Sequence, residues 1–345
     1  MNAQIALLLG QDGITNGAIY ALLALSILLV FTVTRILLIP QGEFVTYGAL
    51  TMASLQAGQP TALVWLLLAL TLLDGALDLL ASIRRPHAWR LPRKSLVKIA
   101  YAAAMVGLVN NLPLAQLPMA LQALLTLALV VPLGPLIYRL AFQPIASASS
   151  LVLLIVSIAV HVSLVGMGLL LFGPEGARTR PFSEQGLELG PVALNSQTLW
   201  IIAASLGLII GLFVFFERTL YGKALRATAV NRMGARLMGI SPEMAGKSTF
   251  VLAALIGTLS GILIAPITTL YFDSGFIISL KGFVGAIMGG LVSYPVAALG
   301  ALAVGLIEAF SMFWASAYKE VIVFTLIIPF LLWRSLTSRH VEEHE

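Results

Sequence analysis

The sequence predicts an all-α protein, a polytopic transmembrane helical bundle, on two observations. The first is composition: of 345 residues, 59% are hydrophobic and only 10% are charged, and the mean hydropathy is +0.99. Soluble domains carry about 25% charged residues. The second is a series of apolar runs close to the roughly 20 residues that a helix needs to cross a bilayer. We therefore expect the lipid bilayer to surround most of the chain.

Nine apolar runs are predicted to span the membrane. They are residues 14–34, 61–81, 96–112, 118–140, 150–172, 198–216, 249–271, 296–315 and 319–335. Two shorter stretches, 41–57 and 279–291, are punctuated by glycine and proline and predict broken, re-entrant half-helices. Unwound backbone at membrane depth is tolerated only where protein or a water-filled cavity satisfies its hydrogen bonds. Interrupted segments at comparable places in two halves of a chain are typical of a transport pathway.

The basic residues predict the orientation, because Lys and Arg next to spans are retained on the cytoplasmic side. They concentrate in 82–98, in 217–249 and in the C-terminal tail, which are therefore predicted to be cytoplasmic. The loop 173–197 is richer in Glu and is predicted to lie outside. The first dozen residues contain Asp12 but no Lys or Arg, so the N-terminus is also predicted to lie outside.

Several classes of chemistry are not predicted for this chain. The absence of cysteine excludes disulfides and thiolate sites, and the four histidines are scattered, so no metal site is expected. No Walker A loop and no G-x-S-x-G elbow occur, so we expect no catalytic residue, no cofactor and no nucleotide hydrolysis by this chain. The net charge of +5 lies in loops and reflects topology, so no nucleic-acid partner is expected.

The segment from Glu217 to Lys247 is the longest polar insert between apolar runs. It combines Lys and Arg with small residues at close intervals, which favours short helices with a smooth surface. We expect this surface to bind a partner on the cytoplasmic side.

Ionisable residues inside predicted spans are costly in lipid and usually face a cavity or a partner. Glu43 follows the turn into the first short stretch, and we expect it to line the pathway or hold the turn, with a cation such as Arg35 as partner. A simple interfacial position is the alternative. Lys281 lies in the second short stretch and is a candidate for the pathway. Tyr20 is predicted either to stand over the cavity or to pack against a neighbouring helix.

Other polar residues are assigned structural roles. His161 is predicted to make a polar contact between helices rather than to bind a ligand, and Glu308 to hydrogen-bond within the bundle. Asp74 and Asp78 lie one helical turn apart at a span end, which predicts a solvated helix end beside a membrane-surface loop. A binding role for that region is the alternative.

Three motifs in order resemble the permeases of the branched-chain amino acid ABC-transporter family (LivH type). The first motif comprises Gly17, Tyr20, Ala21, Leu22, Ala24 and Leu25, followed by Gly42, Glu43, Phe44, Gly48 and Ala49. The second comprises Gly222, Arg226, Ala227, Asn231, Ala235, Leu237, Gly239 and Ile240. The third comprises Lys281, Gly282, Phe283, Ala286, Gly289, Gly290 and Pro295. The resemblance covers most of the chain.

The resemblance implies a single transmembrane permease domain, 1–345, in the bacterial inner membrane. Two permease subunits, identical or homologous, would form the pathway, two cytoplasmic ATPase subunits would use ATP, and a periplasmic binding protein would deliver the substrate. The implied pathway residues are Tyr20, Gln41, Gly42, Glu43, Lys281, Gly289 and Gly290. The implied ATPase-coupling residues, within 217–249, are Gly222, Arg226, Ala227, Asn231, Ala235, Gly239 and Ile240.

Departures from the family pattern bear on the substrate and on the span count. The family's N-F-A-H is replaced by the four residues 38–41, Leu-Ile-Pro-Gln, and residues 75–117 resemble an insertion. The implied function is import of branched-chain or related amino acids. Import of urea or short amides by the same kind of permease is an alternative, and an ion-coupled secondary transporter is another. A membrane-embedded enzyme is the least favoured class, because no reactive cluster is found.

Overall fold

The computed structural model of the chain describes residues 3–83, 93–183, 187–189 and 192–337. The helices are α1 Ala3–Thr34, α2 Gln41–Gln56, α3 Leu63–Ile83, α4 Arg93–Asn111, α5 Met119–Val130, α6 Leu133–Ile137, α7 Ser150–Phe172, α8 Ser196–Arg218, α9 Leu220–Val230, α10 Arg232–Leu237, α11 Pro242–Ile264, α12 Ser274–Met288, α13 Tyr294–Ala315, α14 Lys319–Thr325 and α15 Ile327–Thr337. A small antiparallel hairpin, β1 Leu187–Leu189 and β2 Val192–Leu194, precedes α8. The basic residues of 84–92 and the end of the C-terminal tail lie outside the described residues.

The all-α transmembrane class is confirmed, and the hairpin is a minor addition in the loop before α8. Seven segments among the described residues are long and apolar enough to cross a bilayer, compared with nine predicted spans. They are Gln4–Thr34, Leu63–Ser82, Met119–Ile145, Ser150–Phe172, Ser196–Arg218, Pro242–Ile264 and Tyr294–Leu332. The predicted span 96–112 lies in α4, which begins with basic residues and ends in two asparagines, and it is not one of the seven.

The last of these segments contains the predicted span 296–315 and most of the predicted span 319–335. A 3₁₀ turn at Ser316–Tyr318 separates α13 from α14. After the turn, α15 packs back on α12, and Val323 joins the core formed by α1, α12 and α13. The two predicted spans 296–315 and 319–335 are therefore successive arms of one helical hairpin.

The two short elements are half-helices, as predicted, but each is continuous within its bounds rather than broken. α2 has 16 residues and α12 has 15, and each is too short to cross a hydrocarbon core of about 30 Å at about 1.5 Å per residue. Their internal glycines are contact positions: a Cβ on Gly42 would lie 2.0 Å from the carbonyl oxygen of Gly275. Small residues allow such close approach of membrane helices. The interruptions lie outside the helices, at Pro40 and at Gly290, which has φ of +65°.

The N-terminus of α2 lies deep in the bundle. The Gln41 side chain donates to the Ala253 carbonyl, and Glu43 contacts His161. Ala253 and His161 each occupy the middle of a 23-residue helix, α11 and α7 respectively. The connection after α1 is not helical and is tied to α7 by Ser157, which donates to the Leu37 carbonyl. Backbone at this depth is therefore satisfied by protein, as the bilayer requires.

Helix α1 is the centre of the bundle and packs on α8, α11, α12 and α13. Helix α1 approaches α13 closely at Gly17, because a Cβ there would lie only 2.9 Å from the Cα atom of Leu302. The far end of α1 reaches the polar segment that follows α8. There Leu225 of α9 packs against Leu29 and Val33 of α1 and against Ala245 of α11. The polar segment thus rests directly on two helices of the core.

Candidate functional site

Two clusters of ionisable residues lie among the core helices. The first is the Glu43–His161 pair, at the start of α2. Glu43 is buried, and its Oε1 atom lies 3.0 Å from Nδ1 of His161. Apart from this contact, neither oxygen of the Glu43 carboxylate forms a hydrogen bond among the described residues, and Oε1 of Gln41 forms none either. His161 stacks on Phe276 of α12, with ring centroids 4.7 Å apart.

The partner of Glu43 differs from the one expected. Arg35 was the expected cation, but it lies in the connection after α1 with φ of +62° and its guanidinium faces Phe31, 6.0 Å from the ring centroid. His161 takes that place, which confirms its role as a polar contact between helices. The pairing joins residues more than a hundred positions apart, so no local sequence pattern indicates it.

The second is the Lys281 cluster, which comprises Tyr20, Lys281 and Glu308 from α1, α12 and α13. The Lys281 ammonium forms an ion pair with Oε1 of Glu308, and the Tyr20 hydroxyl donates to Oε2 at 2.6 Å. The ammonium also lies 5.7 Å from the centroid of the Tyr20 ring. Both carboxylate oxygens are thus occupied, which confirms that Glu308 bonds within the bundle.

The structure distributes the predicted pathway residues over two clusters and a turn, on helices that meet where Gly42 of α2 packs on Gly275 of α12. Gln41, Gly42 and Glu43 lie at the start of α2, whereas Tyr20 and Lys281 belong to the Lys281 cluster. Gly289 and Gly290 form the turn from α12 to α13, where Gly289 packs against Ala297 and Ser293. Among the described residues, no group of three or more His, Asp or Glu side chains converges in a way that would hold a metal ion.

The coupling segment, residues 217–249, consists of α9, α10 and the first turns of α11. Several of its motif residues determine the local backbone conformation. Asn231 caps α10 by accepting from the Gly234 amide at 2.8 Å, and Gly239 has φ of +82°, a conformation that favours glycine. Gly222 and Ala235 are buried, and a Cβ on Gly222 would lie 2.2 Å from the Phe215 carbonyl oxygen.

The rest of the coupling segment faces outward. Arg226, Ala227 and Asn231 are exposed, Ile240 is partly so, and Arg226 pairs with Glu217 at 2.7 Å. Several large apolar side chains are exposed beside them. They are Leu220 (84%), Val230 (83%), Met233 (67%), Leu237 (82%) and Met238 (83%). Contiguous exposed apolar side chains rimmed by polar residues typically mark an interaction surface.

A third cluster was not predicted, and it corrects the interpretation of Asp74 and Asp78 as a solvated helix end. Asp74 is fully buried and lies 2.7 Å from Nζ of Lys98 and 2.8 Å from Nε of Arg139. Asp78 pairs with Arg139 and accepts from the Ser95 hydroxyl. The spacing of the two aspartates and a lone arginine ending an apolar run were the available signals. Neither signal identifies which residue pairs with which, because the ion pairs join separate helices.

Comparison with known proteins identifies the family. Residues 94–331, more than half of the chain, match the family described as "Branched-chain amino acid transport system / permease component". The chain belongs to this permease family. Its relatives include the high-affinity branched-chain amino acid transport system permease protein BraD of Pseudomonas aeruginosa. This permease and BraD are 26% identical over 245 residues, which cover 68% of this chain and 79% of BraD.

Two further relatives show the same kind of match. The permease is 28% identical over 207 residues to the protein LivH of Escherichia coli K12, covering 57% of this chain and 66% of LivH, just under two thirds of that protein. It is 29% identical over 133 residues to a probable LivH protein of Methanocaldococcus jannaschii, covering 36% of this chain and 42% of that protein. No solved structure matches the chain.

Family membership confirms the resemblance drawn from the three motifs. The permease is a multi-pass membrane protein and a component of a transport system. The family match begins in α4, so the first motif, which spans α1 and α2, lies outside the matched residues. The roles of individual pathway and coupling residues stay predictions.

Proposed function

We propose that this permease is the membrane-spanning subunit of an ATP-driven importer for branched-chain or related amino acids in the bacterial inner membrane. Its N-terminus lies outside and its C-terminus in the cytoplasm, in agreement with the distribution of Lys and Arg. Two cytoplasmic ATPase subunits hydrolyse ATP, and this chain carries no cofactor. A periplasmic binding protein delivers the substrate, and a second permease subunit, identical or homologous, completes the pathway.

The exposed surface of α9 and α10 is the main observation that supports this proposal. These short helices are too polar to lie in lipid, yet they expose Leu220, Val230 and Leu237 beside Arg226. Their buried face rests on α1 and α11, which lead to the Lys281 cluster and to Gln41. An ATPase docked on the exposed face would therefore move helices that contact both clusters.

The test is ATP hydrolysis by the permease reconstituted with its candidate ATPases and binding protein. Leu237→Glu places a charge in the apolar surface, and we expect at least about tenfold lower stimulated hydrolysis, the effect of losing about 1.4 kcal/mol of docking energy. Arg226→Glu and Gly239→Trp are expected to act in the same direction. Lys94→Glu, an exposed cation at the start of α4, is the matched control. Unchanged hydrolysis in all three variants would contradict a coupling role for this surface.

The Glu43–His161 pair supports an amino acid as the substrate. Glu43 lies in the first turn of α2, where the helix dipole favours its carboxylate, and its free oxygen suits the ammonium group of an amino acid. Uptake of radiolabelled leucine, urea and acetamide by the complete system separates the substrate classes. Uptake driven by an ion gradient without the ATPases would instead indicate a secondary transporter.

We propose that the second permease subunit packs against the face formed by α7 and α12. His161 is 13% exposed there, between the exposed side chains of Val162, Phe276 and Ile277. A partner on this face would close the pathway over the Glu43–His161 pair. Because the chain has no cysteine, single cysteines give a clean test. Val162→Cys is expected to crosslink between permease subunits, whereas Trp65→Cys, exposed on α3, is not. Crosslinking of Trp65→Cys alone would place the interface elsewhere.

A further inference from the structure

A cavity of about 310 Å³ opens between α3, α4, α6 and the start of α11. Its walls are mostly apolar, and its polar lining consists of three cations together with Thr71 and Tyr101. The apolar side chains include Leu67, Val97 and Leu136, and the cations are Lys98, Arg139 and Lys247. The cavity is separate from the Glu43–His161 pair and from the Lys281 cluster, since it shares no residue with either.

The three cations of this cavity differ in how they are paired. Asp74 and Asp78 face three cations, and both carboxylates are engaged by Lys98 and Arg139. Asp74 is fully buried beneath the cavity floor. Lys247 has neither a hydrogen bond nor an ion pair within the part of the chain that the structure describes, although it is half-buried at the cavity edge. Glu243 lies one helical turn before Lys247 but accepts from the Gln143 side chain, so Lys247 is the cation of this cavity that no acid among the described residues pairs with directly.

The position of the cavity matches a lipid headgroup. Lys98 and Lys247 lie near the starts of α4 and α11, and Arg139 lies near the end of the span Met119–Ile145. Exposed Arg93 and Lys94 continue the basic character at the start of α4. On the outer side, Val97 and Tyr101 are exposed, so the cavity opens toward the surroundings of the helices. Basic pockets between membrane helices on the cytoplasmic side bind anionic headgroups.

We propose that this cavity binds the phosphate of one anionic phospholipid, with Lys247 as the cation it neutralises. Lys98 and Arg139 supply the second side of the site and are held in place by Asp74. The acyl chains lie against the exposed side chains of Val97 and Tyr101. Lys247 lies in the second turn of α11, which follows α10 after a short connection, so a bound lipid would hold the start of α11, and with it the coupling segment, against α3 and α4.

Lipid retention by the full-length permease tests the site without ATPases or substrate, so its outcome does not depend on the transport function. The purified permease in neutral detergent is titrated with phosphatidylglycerol or phosphatidylcholine and analysed by native mass spectrometry. The unmodified permease is expected to retain one phosphatidylglycerol in preference to phosphatidylcholine. Lys247→Gln is expected to bind it about fivefold more weakly, the value of one cation near an anionic headgroup.

Controls separate the site from general surface charge and from misfolding. Lys223→Gln removes an exposed cation of α9 outside the cavity and is expected to leave retention unchanged. Lys247→Arg keeps the charge and is expected to keep the lipid. Equal phosphatidylglycerol retention by Lys247→Gln would overturn the proposal, as would equal retention of phosphatidylcholine. Displacement of the lipid by millimolar inorganic phosphate would overturn the lipid assignment in favour of a soluble anion.

Discussion

The Glu43–His161 pair and the Lys281 cluster differ in how completely their polar atoms are satisfied. In the Lys281 cluster, both oxygens of Glu308 have partners, one from Lys281 and one from Tyr20. At the start of α2, one oxygen of Glu43 contacts His161, while its second oxygen has no hydrogen-bond partner within the described ranges. Both carboxylates are buried.

This difference indicates different roles for the two clusters. Burying a charged group without hydrogen-bond or ion-pair partners costs free energy, and such a group in a native fold often has a functional role. The Lys281 cluster ties three helices together and is compensated internally, so we assign it a structural role. The Glu43–His161 pair keeps acceptor capacity for a further group, which supports our proposal that it contacts the substrate. The motifs alone placed Lys281 and Glu43 in the same pathway.

Removing Lys281 is expected to have the largest effect on folding. Lys281→Met leaves the buried Glu308 charge with Tyr20 alone, and we expect a loss of about 3–5 kcal/mol, the typical cost of breaking a buried ion pair. The measurement is thermal unfolding in detergent. The double variant Lys281→Met with Glu308→Met removes both charges and is expected to recover most of that loss. A stable single variant would mean that the Lys281 cluster is not structural.

Tyr20→Phe is a milder test of the Lys281 cluster, because it removes one hydrogen bond and changes the side-chain volume little. Because the Tyr20 hydroxyl donates to a buried carboxylate at 2.6 Å, we expect a loss of about 1.5–3 kcal/mol. Thermal unfolding gives the loss, and uptake assayed at a temperature where the variant is folded is expected to be normal. Normal stability with abolished uptake would reverse the assignment and place Tyr20 in the pathway.

Gly42→Ala tests the contact that joins α2 to α12, the helix that carries Lys281. The added methyl group meets the Gly275 backbone at 2.0 Å, where no flexible side chain can move aside, and we expect a loss of about 1–3 kcal/mol. Gly107→Ala in α4 is the control, since its Cβ has no heavy atom within 4 Å, and it is expected to gain up to about 1 kcal/mol. Equal unfolding temperatures for the two variants would show that this contact is not tight.

Glu43→Gln is expected to have the smallest effect on folding and a large effect on transport. Its neutral amide keeps the shape and loses the charge, so stability changes by about 1 kcal/mol or less. Uptake is expected to fall by about tenfold or more, since a charge-assisted bond to the substrate ammonium is lost. Glu175→Gln, an exposed acid after α7, controls for a general charge effect. A strongly destabilised Glu43→Gln with normal uptake would assign Glu43 to the structure instead.

Much of the fold follows from local sequence properties. Apolar run length located the spans, because each helix must satisfy its own backbone in lipid. The basic segment 217–249 predicted short helices outside the membrane, and the structure forms the short helices α9 and α10 there. The glycines of 41–57 and 279–291 were less informative. Glycine serves equally to break a helix and to let two helices approach, and only the neighbouring helix distinguishes these uses.

The sequence by itself determined the class of the protein, its apolar elements and, through three ordered motifs, its family. Only the tertiary structure decided which charges meet. His161 reaches Glu43, Lys281 reaches Glu308, and Arg139 reaches Asp74, each across separate helices. A span's hydropathy depends on residues adjacent in sequence, whereas the partner of a buried charge depends on how helices pack. That packing left Glu43 with an unpartnered oxygen, and Lys247 without an ion pair, among the residues that the structure describes.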